Sequence, residues 1–236
     1  MSLKTIQMKS LSLLSKEEAP RVFTPTMVHD YLKKTHAQLS KQSITQFLSN
    51  WVELGVIKKV KHGVYLNLRA SPQPLLEEAA PWIRSGAIVS LQSVLGRSGV
   101  LNNPTDWVTC VYPYSKNPNH LELSLEGGIF RFSPMNDQAF PQKEDDWFED
   151  AYEPFTKVQT ATPEKALLDW IYLGVNGYRN TLPPPHDIDW EELNTSRLER
   201  LAEKMNLTEA LVQFKNAVIK AEESVHLSLN TYKHSR

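Results

Sequence analysis

The chain has 236 residues, 41% of them hydrophobic and 22% charged, which fits one or two globular domains with enough apolar content for a core. A single cysteine, Cys110, excludes an internal disulfide and a Cys-rich zinc site and suits a reducing cytoplasm. No apolar run approaches the ~20 residues of a membrane span, and neither a signal peptide nor a membrane partner is expected.

The net charge of −1 conceals a split. Met1 to Arg69 holds 11 Lys and Arg against 4 Asp and Glu, a net of +7, while the remainder holds 15 against 23, a net of −8. A basic part of this size points to a polyanionic partner.

Leu3 to Leu14 carries a helical pattern with Ile6, Leu11 and Leu14 as anchors. In "FTPTMVHDYLKKT", Thr24 is placed to cap a helix with Pro25 at its first position. Met27, Val28, Tyr31 and Leu32 line one face of that helix. A polar break, Thr35 to Leu39, follows. Ser40 then caps "KQSITQFLSNWVELG", in which Ile44, Phe47, Leu48, Trp51 and Val52 form an apolar stripe and Gly55 is the stop. The opposite face carries Gln42, Gln46, Ser49 and Glu53, flanked by Lys41, Thr45 and Asn50.

A hairpin comes next: "VIKKV", a His62-Gly63 turn, and "VYLNL". Strand alternation turns Val60 inward and projects Lys59 and Lys61 to the other face, with His62 near the tip. Helix, break, helix and basic hairpin is the order of a winged helix-turn-helix. In that reading Gln42, Thr45, Gln46 and Ser49 bond base edges in the major groove of double-stranded DNA. Lys41, Lys58, Lys59, Lys61 and His62 supply phosphate contacts, which set position and salt-dependent affinity. The competing reading is a protein-docking module whose polar helix face is merely solvated.

"RASPQP", Arg69 to Pro74, reads as an extended connector where the charge changes sign. It divides the chain into 1–69 and 75–236, and the second part is long enough to fold alone. There, "PLLEEAAPWIRSGAIVSLQSVLGRSGVLN" predicts a short helix, a turn at Gly86 and a second helix near Ile88 to Arg97. "WVTCVYPYS" predicts a strand with Cys110 buried and inert. "HLELSLEGGIFRF" predicts a hairpin turning at Gly127-Gly128, and "TKVQT" another strand. "TPEKALLDWIYLG" predicts a helix capped by Thr162, begun by Pro163 and closed by Gly174. Glu164 faces its positive end, and Ala166, Leu167, Trp170 and Ile171 form its buried stripe.

Pro183 to Pro185 exclude a helix, whether they form a connector or a polyproline ligand. From about Asp189 the tail is helical, broken near Asn194 and Asn206, with Thr208 capping a last helix that carries Leu211, Phe214, Val218 and Ile219. The expected class is α+β: an N-terminal winged helix-turn-helix, then a mixed α+β domain with a helical C-terminal part.

Catalytic patterns are missing. There is no phosphate-cradling glycine loop, nucleophile elbow or zinc-binding helix. His186, Asp187 and Asp189 lack a spaced partner set. Glu164 and Asp169, five apart on one helix, point to different faces. No acid is followed by a nuclease-like E-x-K, and the acidic run Glu144 to Asp150 reads as a solvated loop. No enzyme activity, metal or cofactor is expected.

Three stretches carry a resemblance: "LGVIKKVKHGVYL" with Gly63 and Tyr65, "GAIVSLQSVLGRSGVL", and "VQTATPEKALLDWIYL" with Thr162, Pro163, Glu164 and Asp169. In this order and spacing the chain, to about Gly174, resembles the AbiEi-type antitoxins of type IV toxin–antitoxin (abortive infection) systems and the transcriptional regulators related to them. Ser93, where that family often has alanine, departs from the pattern. The resemblance implies an N-terminal domain that represses its own promoter. It also implies a C-terminal domain that counters a nucleotidyltransferase-like toxin without needing a stable complex. Glu164 and Asp169 are then candidates for antitoxicity; otherwise Glu164 merely favours its helix end and Asp169 is a surface residue. A ligand-responsive winged-helix transcription factor is the alternative, and a nuclease delivered to DNA is a third reading.

Overall fold

The computed structural model describes residues 3–103, 105–114, 119–137, 139–140, 158–177, 183 and 187–233. The elements run α1 (Leu3–Leu14), β1 (Val22–Phe23), α2 (Pro25–Lys33), α3 (Lys41–Glu53), β2 (Ile57–Lys61) and β3 (Val64–Asn67). A 3-10 turn (Leu76–Ala79) leads into α4 (Ala80–Ile83), then β4 (Ile88–Val89), α5 (Gln92–Arg97), β5 (Val108–Pro113), β6 (Leu121–Leu125) and β7 (Gly128–Met135). α6 (Pro163–Val175), α7 (Thr195–Lys204) and α8 (Thr208–Lys233) follow. The class is α+β, with sheets ordered β1-β3-β2 and β4-β5-β7-β6. Among the described residues, two compact units form. The first runs to Ser85 and includes Leu123–Phe130; the second holds Gly86–Glu122, the rest of β7 and the residues from Gln159 on.

In the first unit, local signals set the helices. The Thr24 hydroxyl accepts from the Met27 amide, with Pro25 opening α2. Ser40 accepts from the Ser43 amide at 3.1 Å to start α3, and Gly55, at φ +65°, ends it. Leu14, Phe23, Val28, Leu32, Ile44, Phe47, Leu48, Trp51 and Ile57 share one core, with Ile6 and Leu11 of α1 packed against it. Burying each such side chain contributes about 1.5–3 kcal/mol. Val52, expected in the stripe, is 37% exposed. Ile44, Phe47, Leu48 and Trp51 complete the inward seam, and Val52 falls one step round the helix from it. Buried His29 donates from Nε2 to the Leu39 carbonyl at 3.0 Å, closing the turn between α2 and α3.

The hairpin departs from strict alternation. Lys59 pairs with Tyr65 and Lys61 with Val64, so Val60 is an extra residue, a bulge. Alternation would put Lys58 on the same side as Val60. The bulge instead buries Ile57 and Val60, three apart, and leaves Lys58 exposed.

The expected division at 69–75 falls inside the first unit. Ser71, Pro72 and Gln73 are exposed as a connector should be. Beyond them the chain stays in the same unit: Ala79 and Ala80 are buried, and the Glu78 carboxylate meets buried Arg21.

In the second unit several expectations shift. Ile88 and Val89 form strand β4 rather than opening a helix, pairing with Val111 and Cys110 of β5. Leu91, at φ +59°, re-aims the backbone before α5 begins. The strand expected at Thr156 to Thr160 is, in its described part, a parallel bridge between Val89 and Thr160; Thr156 and Lys157 lie outside the described residues. α6 runs past Gly174, and Gly177, at φ +71°, follows its end. Every residue from Glu164 to Leu173 is buried, because α5, α7 and α8 all pack on this helix. A single apolar stripe would have left its other faces wet. Asp189 to Leu193 is non-helical, and Asn194 caps α7 by accepting from the Arg197 amide at 2.9 Å. Asn206, at φ +55°, makes the next break, and Thr208 is the first residue of α8 rather than its cap. Leu211, Phe214 and Val218 are buried, and Ile219 is exposed. Of the proline segment, buried Pro183 is described; Glu144 to Asp150 lie outside the described residues.

Candidate functional site

α3 turns one face to the core and the other to solvent. Lys41, Gln42, Thr45, Gln46, Ser49 and Glu53 are all exposed. Positions 42, 45, 46, 49 and 53 follow helical spacing, so they form one row of amide, hydroxyl and carboxylate groups. None of Lys41, Gln42, Thr45, Gln46 or Ser49 takes a side-chain partner among the described residues, so their donors and acceptors are available. Asn50, half-buried at the edge of the row, donates weakly to Gln7 at 3.5 Å.

The β2–β3 hairpin follows α3 after a three-residue turn. Lys58 is exposed, Lys61 is half-buried, and His62 is exposed at the tip beside Gly63, whose φ of +77° the tight turn requires. Lys59 differs from its neighbours. Its ammonium is 2.8 Å from the Glu126 carboxylate, and that hydrogen bond raises the Lys59 pKa. Residues 1–85 hold 12 Lys and Arg against 6 Asp and Glu, so a free polar row lies on a unit of net positive charge. Such a surface can bond the edges of planar bases and neutralise phosphates.

Glu164 and Asp169 do sit on different faces of α6, but neither is at the surface. Glu164 accepts from the Asn194 amide at 2.8 Å and meets the Arg197 guanidinium at 3.5 Å. It therefore serves the start of α7 as well as lying in the first turn of α6. Asp169, expected to be solvent-exposed if not functional, is fully buried. It is paired with the buried ammonium of Lys165 one turn earlier and accepts from the Ser90 hydroxyl at 2.6 Å. Burial pushes the Asp169 carboxyl above its ordinary range, against the opposing pull of Lys165 and Ser90.

The polar cluster continues into β5. The Thr109 hydroxyl donates to the Ser90 carbonyl at 2.7 Å, and the Thr109 amide donates to the Ser93 hydroxyl at 2.7 Å. Ser93 in turn donates to the Trp107 carbonyl at 2.9 Å. The serine at 93 thus locks α5 onto β5. With no solvent access to Asp169 or Lys165, the cluster holds α6 in place and offers nothing to a substrate.

Asp187 accepts from Asn103 at 2.7 Å and Asp189 from the Glu191 amide at 3.0 Å; His186 lies outside the described residues. Among the described residues, no group of three or more His, Cys, Asp and Glu side chains could hold a metal ion, and no helix is long and apolar enough to cross a membrane. Cys110 is buried within β5. Sequence reasoning missed a cleft of about 530 Å³ in the first unit, lined by Glu17, Glu18, Met27, Asp30, Tyr31 and Trp82 among others. Its walls come from segments some fifty residues apart in the chain, and no local pattern joins them.

No family model matches the chain, and no curated protein is significantly similar to it. Among solved structures, it is similar to the crystal structure of RV2827C protein from Mycobacterium tuberculosis. The TM-score is 0.51 with 15% identity, over 87% of this chain and 77% of that one. At this identity the likeness concerns the fold alone.

Proposed function

We propose that the first unit is a winged helix-turn-helix that binds double-stranded DNA, with α3 in the major groove and the β2–β3 hairpin as the wing. The chain is then an autorepressor of its own promoter and the antitoxin of a type IV toxin–antitoxin system. It acts in the cytoplasm against a nucleotidyltransferase-like toxin, with no catalysis or cofactor of its own. The observation that carries the DNA reading is the row Gln42, Thr45, Gln46 and Ser49, exposed and unpartnered on the helix that leads into the hairpin bearing Lys58 and Lys61. The antitoxin reading rests on the resemblance in "VQTATPEKALLDWIYL" and the two stretches before it.

Affinity for a duplex from the chain's own promoter should fall steeply with salt, because lysines displace condensed counterions. Binding that stays constant between low and physiological ionic strength would falsify the electrostatic part of the reading.

Wing and helix should separate by mutation. Lys58→Ala with Lys61→Ala should weaken all duplexes alike and flatten the log–log salt slope by about two units. Gln42→Ala or Gln46→Ala should lose roughly 1–3 kcal/mol on the operator alone. Equal losses on operator and random DNA for the glutamine variants would remove α3 from base reading.

The cleft beside α2 favours the second reading, a ligand-responsive transcription factor. Tyr31, Met27 and Trp82 give it apolar walls, and Glu17, Glu18 and Asp30 line it together with the basic Lys34 and the Glu78-paired Arg21. A neighbouring toxin gene, neutralised by this chain in cells, decides for the antitoxin. Operator affinity that responds to a small organic ligand, with no such gene beside it, decides for the sensor.

A further inference from the structure

Glu126 lies 67 residues beyond Lys59 and accepts from its ammonium at 2.8 Å. It occupies the turn between β6 and β7, within the segment Leu123–Phe130 that belongs to the first unit. The backbone seats this turn: the Gly127 amide donates to the Val60 carbonyl at 3.2 Å. Val60 is the bulge residue of β2, and β2 is an outer strand of its sheet, so it has backbone groups to spare on that side. The approach is close enough to demand glycine. A Cβ at Gly127 would lie 2.8 Å from the Val60 Cα, a backbone atom with no flexible end to move aside. The carboxylate is therefore delivered to Lys59 by a fitted turn. Glu126 itself remains 62% exposed and Lys59 31% exposed, so the pair can open to a competing anion.

We propose that Glu126 holds down the overall affinity of the DNA-binding surface: its carboxylate occupies Lys59 as a backbone phosphate would, and a duplex must displace it. This rests on the DNA reading above. While Glu126 keeps Lys59, the lysine neutralises no phosphate and releases no condensed counterion, and a phosphate that takes it must first break the ion pair. The net gain from that contact is small, and sequence-independent affinity is held down. The base-reading row on α3 is untouched by the exchange, so operator and random DNA are weakened alike and the ratio between them is unchanged.

The test compares the full chain with its Glu126→Gln and Gly127→Ala variants on the promoter duplex and on a random duplex of equal length, across a salt series. E126Q should bind both the promoter and the random duplex about threefold to tenfold more tightly at low salt, each with a log–log slope steeper by about 0.9. Adding Lys59→Ala to E126Q should cancel that gain. G127A, which keeps the charge but pushes the turn off Val60, should move affinity in the same direction. Acylation of Lys59 should also quicken in E126Q, since losing the carboxylate lowers the pKa of the amine. Wild-type binding that E126Q leaves unchanged in affinity and slope overturns the role of Glu126 and leaves the DNA reading intact. If neither protein binds any duplex at low salt, the DNA reading falls and the role of Glu126 falls with it, while the acylation rate still reports the ion pair.

Discussion

Asp169→Ala should destabilise the protein by about 3–5 kcal/mol in denaturant unfolding, among the largest losses a single side chain can cause here. The substitution strands the ammonium of Lys165 in a site with no solvent access. An unpaired buried cation must either stay charged without compensation or give up its proton. Lys165→Met should be similarly damaging, because it strands the carboxylate. Replacing the whole cluster at once (Ser90→Ala, Lys165→Met and Asp169→Val) should recover most of the loss, since an apolar substitute for a buried ion pair is often neutral. A single variant within about 1 kcal/mol of wild type would remove the pair as a structural element.

The pH dependence has a definite sign. Burial holds the Asp169 carboxyl above its ordinary range in the folded chain, so the folded state binds this proton more tightly than the unfolded chain. The stability from that difference is fully present below the unfolded carboxylate value and is lost as pH rises through the raised one. Relative to the triple variant, wild type should weaken as pH rises above the ordinary carboxylate range. For an antitoxin assay the consequence is direct: protection lost on changing Asp169 should track lost folding. Glu164 gives a cleaner contrast, because Glu164→Gln keeps an acceptor for the Asn194 amide.

What could be read from the sequence was what is local. Thr24-Pro25, Ser40 and Gly55 mark helix ends within a few residues of themselves, and α2 and α3 lie where those signals place them. The polar row of α3 was legible for the same reason, since helical spacing alone puts Gln42, Thr45, Gln46 and Ser49 on one face. The departures arise from partners far along the chain. Lys165 and Asp169, four apart, have the spacing of an ordinary exposed helix pair. Only the packing of α5, α7 and α8 around α6 makes the pair a buried one. Lys59 resembles its neighbouring lysines in sequence, and its difference comes from a carboxylate 67 residues away. The bulge at Val60 shifts which residues face inward, and a period-two pattern has no way to announce an extra residue.

The boundary of the first unit depends on Arg21 in the same non-local way, and Arg21→Ala should also cost about 3–5 kcal/mol. Its guanidinium is 9% exposed and forks onto Glu78, with Nε 3.0 Å from Oε2 and Nη2 2.9 Å from Oε1. Nη1 donates to the Pro72 carbonyl at 2.6 Å, so the same side chain ties down the exposed connector. Glu78 also accepts from the Leu75 amide at 2.9 Å, which starts the turn leading into α4. Arg21→Lys should recover only part of the loss, because a single ammonium cannot hold a carboxylate in two-point contact and reach the connector carbonyl as well. Limited proteolysis supplies a local readout. Cleavage between Ser71 and Gln73 should accelerate in Arg21→Ala under conditions where the rest of the chain stays folded. The same pair predicts that a fragment ending at Arg69 is less stable than one ending at Ser85, since only the longer one retains Glu78. If both fragments unfold at the same denaturant concentration and the connector of Arg21→Ala is cut no faster than that of wild type, Arg21 does not hold the end of the unit.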